Sequence, residues 1–368
     1  MSLVAFAQHL GLLWVGMEAT TLATAPLIYF NRSPRSIEAT WKYLVISSVG
    51  IALALFGSFF LGYAALHGAG EASLLFPDLL AGATTLSRPW LRAGFTLLLV
   101  GYGTKLGLAP MHTWKPDAYG EAPGVVGAVL AGGMTSCAFL ALARLTQITA
   151  AAGEGDYANR LLVLIGLASM AVAGALLLGQ RDLKRMLAYS SIAHGGYLLV
   201  ALAAGDEVGR ASILFYLVVY AVTNVGAFAV LAMLSTRDRP MEHLDDYKGL
   251  WHSSPVMAGL LAVFLLSLGG FPPTAGFVAK WYVFSAAVAA GQFGLAIIGV
   301  LTSVVSVFFY LRIIVMMYMS EQQDAAALPP VPRTALAALS LSAVGLFYLG
   351  VLPTRVLDLA ARSVASMF

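Results

Sequence analysis

FLLSLGGFPPTAGFVAKWYVFSAAV, residues Phe264 to Val288, decides how this chain folds. The stretch is apolar over a length able to cross a hydrocarbon layer of about 30 Å. It nevertheless contains Gly269, Gly270, Pro272, Pro273 and Gly276, followed by Lys280. Proline lacks the amide proton a helix needs and collides with the preceding turn, so two half-helices joined by irregular backbone are predicted. In lipid, such backbone survives only beside protein or a water-filled cavity that satisfies its carbonyls. An ammonium group in such a place costs about 2.5 to 3.5 kcal/mol on insertion scales and by default marks an ion or proton pathway.

A second stretch has the same character. GTKLGLAPMHTWKPDAYGEAP, Gly103 to Pro123, places Gly103, Gly107 and Pro110 close to Lys105. Ten apolar segments are long enough to span: Leu3 to Phe30, Tyr43 to Leu66, Leu91 to His112, Ala122 to Ile148, Leu161 to Gln180, Met186 to Ala204, Ser212 to Leu234, Val256 to Ala290, Phe293 to Met319 and Thr334 to Val356. The two broken, lysine-bearing segments are the third and the eighth. An odd offset of five spans makes them cross in opposite directions, as an inverted repeat requires, and interrupted segments at corresponding places in two halves point to a transporter's ion site.

The whole composition agrees. Of 368 residues, 60% are hydrophobic and 11% charged, and the mean hydropathy is +0.84, so an all-α polytopic membrane protein of about ten helices is expected. The loops are too short for a separate soluble domain. The N-terminus lacks a basic stretch before its first apolar run, so no cleavable leader is expected. The single cysteine, Cys137, precludes an internal disulfide. With no CxxC spacing, no zinc pattern and no phosphate loop, the chain is read as holding no cofactor and binding no nucleic acid.

The net charge of +3 matters less than its distribution. Arg32, Arg35, Lys42, Lys115, Arg181, Lys184, Arg185, Arg237, Arg239, Lys248 and Arg333 gather in one set of alternate loops, which is expected to face the cytoplasm. Both termini then lie on the other side. Trp41, Trp90, Trp114 and Trp251, close to segment ends, are read as interfacial anchors.

The ionisable groups within spans carry the chemistry. The chain has six lysines, and Lys105 and Lys280 are the two placed inside broken spans. Glu18 lies in the first span and His194 in the sixth, within RDLKRMLAYSSIAHGGY, Arg181 to Tyr197. Desolvation weakens a lysine's hold on its proton and an approaching carboxylate restores it, so a lysine and carboxylate that move relative to each other can take up and release protons. Retreat of the carboxylate from roughly 4 to 7 Å, at an effective dielectric of about 20, removes about 1.8 kcal/mol of attraction. Carrying one charge against roughly 200 mV requires about 4.6 kcal/mol, so hydration or a further charge has to contribute. Histidine suits a relay between lysines. Lys184, near the start of its segment, is a weaker candidate because it can snorkel to water.

Taken together, the two broken stretches and RDLKRMLAYSSIAHGGY resemble the antiporter-like subunits of respiratory complex I, membrane-bound hydrogenases and Mrp-type cation/proton antiporters. From Arg181 onward the chain is most similar to the complex I subunit N type. LLWVGMEATTL, Leu12 to Leu22, together with GTKLGLAPMHTW, also resembles the F subunit of hydrogenase-4. The resemblance implies that Glu18 is the family's fifth-helix carboxylate, Lys105 the lysine of the broken seventh helix, His194 a tenth-helix histidine on a central polar axis, and Lys280 the lysine of the broken twelfth. Where many members carry an eighth-helix lysine, this chain has Ser136, which can at most bind water in a relay. About four N-terminal spans of the family pattern have no counterpart here.

The implied layout is one membrane domain over 1–368, with a partial first repeat at 1–150, the second at 160–320 and a C-terminal helix at 333–368. The implied function is proton translocation in an NADH:quinone oxidoreductase-like assembly of an energy-conserving membrane, of the bacterial inner-membrane kind. Alternatives are a hydrogenase-4-type subunit, an Mrp-like sodium/proton antiporter subunit, and a non-conducting structural subunit. The implied partners are lipid and other membrane subunits of an assembly that carries flavin or nickel-iron, iron-sulfur clusters and quinone elsewhere.

Overall fold

Apolar runs of about 20 residues satisfy their backbone in lipid by becoming helices, and the computed structural model has that form. It describes residues 1–68, 72–205, 207–236, 241–321 and 330–367. The principal helices are α1 (Leu10–Ile28), α2 (Pro34–Leu66), α3 (Arg88–Leu106), α4 (Trp114–Glu121), α5 (Gly124–Ala151), α6 (Gly155–Leu177), α7 (Leu183–Ala204), α8 (Glu207–Leu234), α9 (Pro255–Gly269), α10 (Ala275–Ala289), α11 (Phe293–Met319), α12 (Arg333–Val351) and α13 (Thr354–Met367). Among the described residues, eight helices are long and apolar enough to cross a membrane: α1, α2, α5, α6, α7, α8, α11 and α12. The two remaining expected spans are the broken ones, α3 with α4 and α9 with α10.

Local sequence sets the ends. Ser33 caps α2 by accepting the Ser36 amide at 3.0 Å, with Pro34 in the first turn. Asp182 caps α7 by accepting the Arg185 amide at 2.9 Å; such caps satisfy amides that have no partner within the helix. α2 and α3 approach through Gly57 and Gly94, where each glycine faces the other's backbone, the small-residue contact that lets membrane helices pack closely. α7 is buried almost all round and forms the axis of the bundle. α11 and α12 turn Phe308 and Leu341 outward, 61% and 73% exposed, the composition of a lipid-facing surface.

The two breaks are built alike. α3 stops at Gly107, which has φ +72°, and the Leu108 amide reaches back to the Gly103 carbonyl at 2.9 Å. α9 stops at Gly270, which has φ +83°, and the Phe271 amide reaches back to the Leu266 carbonyl at 3.0 Å. Both are left-handed glycine caps of the Schellman type. Pro110 and Pro273 each follow three residues beyond the glycine, and each lies after a cis peptide bond.

Three expectations need revision. The first span is not continuous: a short helix, Ser2–Phe6, precedes α1, and the freed Ala7 carbonyl accepts from the Arg144 guanidinium, which also donates to Gln8 Oε1 at 2.8 Å. Arg144 thereby pins the N-terminal segment. α5 contains a π-helical stretch over Val129–Met134, marked by the Thr135 hydroxyl donating to the Leu130 carbonyl at 3.1 Å. The C-terminal segment is two helices, because Pro353 cannot continue α12; α13 folds back so that Ala360 and Val364 pack on Ala211 of α8. Arg237 and Arg239 of the basic loop set lie outside the described residues.

Candidate functional site

The site runs along the inside of the bundle from α1 to α11. At one end, Glu18 and Thr21 share a face of α1, three residues apart. The Thr21 hydroxyl donates to Glu18 Oε2 at 3.0 Å and accepts a bond from the Lys105 ammonium. Glu18 is half-buried and Lys105 fully buried. The carboxylate and lysine are therefore joined through a hydroxyl and do not touch. Around them, Tyr43 Oη bonds the Thr24 hydroxyl at 2.7 Å, and the Lys105 nitrogen sits 5.3 Å from the centre of the Tyr43 ring.

At the first break, the structure corrects two readings. Trp114 is fully buried and is no interfacial anchor: its indole donates to the Thr104 carbonyl at 2.8 Å, which also accepts the Gly107 amide at 3.0 Å, and its ring packs on Tyr43. Lys115 is not a loop residue either. It is fully buried, its ammonium donating to the Leu106 carbonyl at 2.6 Å, with the Tyr119 ring centre 5.6 Å away. Asp117 holds α4 in this position by pairing with Lys42 of α2 at 2.9 Å and Arg185 of α7 at 2.6 Å.

Hydroxyls and the histidine fill the centre. From α7, Ser190 bonds Tyr310, Ser191 accepts from Tyr220 Oη at 2.5 Å, and His194 Nδ1 bonds Tyr216 Oη at 2.6 Å. His194 Nε2 and the Tyr119 and Tyr197 hydroxyls are buried without hydrogen-bond partners among the described residues. His194 borders a small cavity also lined by Tyr216, Tyr220, Thr223 and Ser267.

At the far end, Lys280 is buried and donates to the Gly269 carbonyl at 2.9 Å and the Ser303 hydroxyl at 2.8 Å, with the Tyr197 ring centre 5.5 Å away. A cation suits this place because the carbonyl end of a helix carries partial negative charge. Among the described residues, no carboxylate forms an ion pair with Lys105, Lys115 or Lys280; the ion pairs present lie elsewhere, as in Arg92–Glu154 at 2.7 Å.

Two candidates lie off this line. Ser136 turns back on its own helix, donating to the Gly132 carbonyl at 2.7 Å. Lys184 is half-buried and donates to the Ala122 carbonyl at 3.2 Å. Thr21, Lys115, Tyr119, Tyr216, Tyr220 and Ser303 escaped the sequence reading. A signal for two of them existed: Tyr216, Tyr220 and Thr223 recur at helical spacing in an otherwise apolar span.

Both cap glycines are packed against the lysines. A Cβ on Gly107 would lie 2.5 Å from Lys115 Cδ, and one on Gly270 would lie 2.9 Å from Lys280 Cδ. Left-handed backbone adds about 1 to 2 kcal/mol for any residue with a Cβ. Gly107→Ala and Gly270→Ala are therefore each expected to lower the thermal midpoint of the purified protein, and midpoints equal to wild type would refute the caps' role.

The sequence matches the family described as NADH:quinone oxidoreductase/Mrp antiporter, TM, over residues 7–306. A relative named NADH-quinone oxidoreductase subunit N, from Trichlorobacter lovleyi, is 37% identical over 367 residues, covering 99% of this chain and 74% of the relative. Among solved structures, respiratory complex I from Thermus thermophilus contains a chain that superposes with a TM-score of 0.82 at 32% identity, covering 97% of this chain and 76% of that one. The Mrp complex from Dietzia sp. DQ12-45-1b has the same fold, with a TM-score of 0.84 at 20% identity, covering 98% and 74%.

Proposed function

Because this chain belongs to the NADH:quinone oxidoreductase/Mrp antiporter transmembrane family, we propose that it is a proton-translocating membrane subunit of a redox-driven assembly of the NADH:quinone oxidoreductase type. The observation that carries this reading is the line of buried ionisable and hydroxyl groups between Glu18 and Lys280, which crosses both helix breaks. Buried lysines without ion-pair partners are costly in a membrane interior and mark proton relays.

At the Glu18 end, the Lys105 ammonium gives a proton to the Thr21 oxygen while Thr21 gives its own to Glu18. Lys105 becomes a neutral amine, Thr21 is restored, and Glu18 becomes a carboxylic acid. At the other end Lys280 holds or releases a proton between the Gly269 carbonyl and Ser303. The residue spans 1–150 and 160–320 are the two repeats in this proposal, and the matching glycine caps at Gly107 and Gly270 support that division. The basic loops face the cytoplasm of a bacterial inner membrane, and both termini face the opposite side. Electron transfer takes place in partner subunits, and its energy reaches this chain as changes in charge and hydration along the polar line.

The test is to isolate the assembly from its native membrane under mild detergent, identify the co-purifying subunits, and measure protons moved per electron pair in proteoliposomes. Quinone-module partners and a ratio that falls on loss of Lys280 are expected. Sodium-dependent exchange without a redox substrate would instead favour an antiporter of the Mrp kind, whose fold this chain shares.

A further inference from the structure

We propose that Lys115 is a third proton-carrying lysine of this chain, joining the Glu18–Lys105 end of the line to His194; the inference rests on the proton-translocating reading above. Lys105 is committed to Thr21 and Glu18, and Ser136 is turned back on its own helix. Lys115 is fully buried and forms no ion pair among the described residues.

The surroundings of Lys115 repeat those of Lys280. Each ammonium binds the last carbonyl of the half-helix before the break, Leu106 for one and Gly269 for the other. Each stem crosses the left-handed glycine that follows, Gly107 or Gly270, and each nitrogen faces a buried tyrosine ring, Tyr119 or Tyr197. By this geometry the counterpart of Lys280 is Lys115, since Lys105 precedes its break and its ammonium bonds Thr21 of α1. The onward groups are present. The Tyr119 hydroxyl is buried without a hydrogen-bond partner among the described residues, on α4, which packs against α7; on α7, Ser191 is bonded to Tyr220, which borders the cavity beside His194.

A proton leaving the Lys115 ammonium makes it a neutral amine. It passes through hydroxyls, and bound water where they do not touch, each accepting one proton as it gives up another. It ends on His194 Nε2, forming an imidazolium.

Lys115→Gln separates this role from simple capping, because an amide can still donate to the Leu106 carbonyl but cannot carry a proton at neutral pH. In the reconstituted assembly, Lys115→Gln and Tyr119→Phe are expected to slow proton flux through this chain by about 100-fold, the low end for loss of a proton-transferring group, with partner subunits retained. Tyr119→Phe removes one oxygen and keeps the ring, so it reads the same route if Lys115→Gln does not assemble. Lys280→Gln is measured alongside. Wild-type flux in either Lys115→Gln or Tyr119→Phe while Lys280→Gln is impaired overturns this inference alone. Wild-type flux in all three overturns the proton-translocating reading as well.

Discussion

Lys280→Gln is expected to reduce proton flux through this chain by about 100-fold or more, with the assembly intact. Lys280 is buried, and both of its hydrogen bonds go to neutral acceptors, the Gly269 carbonyl and the Ser303 hydroxyl. Glutamine can still reach one of those acceptors and leaves no unpaired charge behind, so folding is largely spared. What is lost is the group that changes protonation state. Proton flux in proteoliposomes, set against electron-transfer rate in the presence of an uncoupler, checks this: a flux equal to wild type at normal assembly would remove Lys280 from the pathway.

Thr21→Val is expected to lower flux as well, at a residue that carries no charge. Valine has nearly the same shape as threonine, so packing on α1 is kept while the bridge from Lys105 to Glu18 is cut. The loss is put at roughly tenfold in flux, equivalent to about 1.4 kcal/mol on the rate-limiting step. Glu18→Gln should show the same defect, and the double variant should be no worse than either alone, because groups acting in one chain are not additive. Thr21→Ser, which restores the hydroxyl, should recover flux. Additive losses would mean that Glu18 and Thr21 act separately.

How far the site was legible in the sequence differs from residue to residue. Lys280 and Lys105 could be found because a cation in an apolar run beside glycine and proline has no ordinary packing explanation. His194 stood out for the same reason. Lys115 did not, since it is flanked by Trp114 and Pro116 in a polar stretch that reads as a loop. Its burial arises because the chain turns inward after Pro110 and Asp117 ties α4 to both α2 and α7. Trp114 was misread for the same reason: an aromatic near a segment end looks interfacial unless the segment itself is known to fold into the bundle. Thr21 was invisible because threonine is common in apolar helices, and only the approach of α3 to α1 gives its hydroxyl a lysine to accept.

Length, hydropathy and the positions of glycine and proline are properties of the chain alone. By themselves they determined that this protein is a helical bundle in a membrane with two interrupted spans, because lipid leaves a backbone no other way to satisfy its polar groups. Which lysine lies against which carbonyl, and which hydroxyl stands between Glu18 and Lys105, was decided only by the tertiary structure. Those contacts join residues up to 84 positions apart, and their geometry depends on how helices cross, a quantity that no local pattern of residues carries.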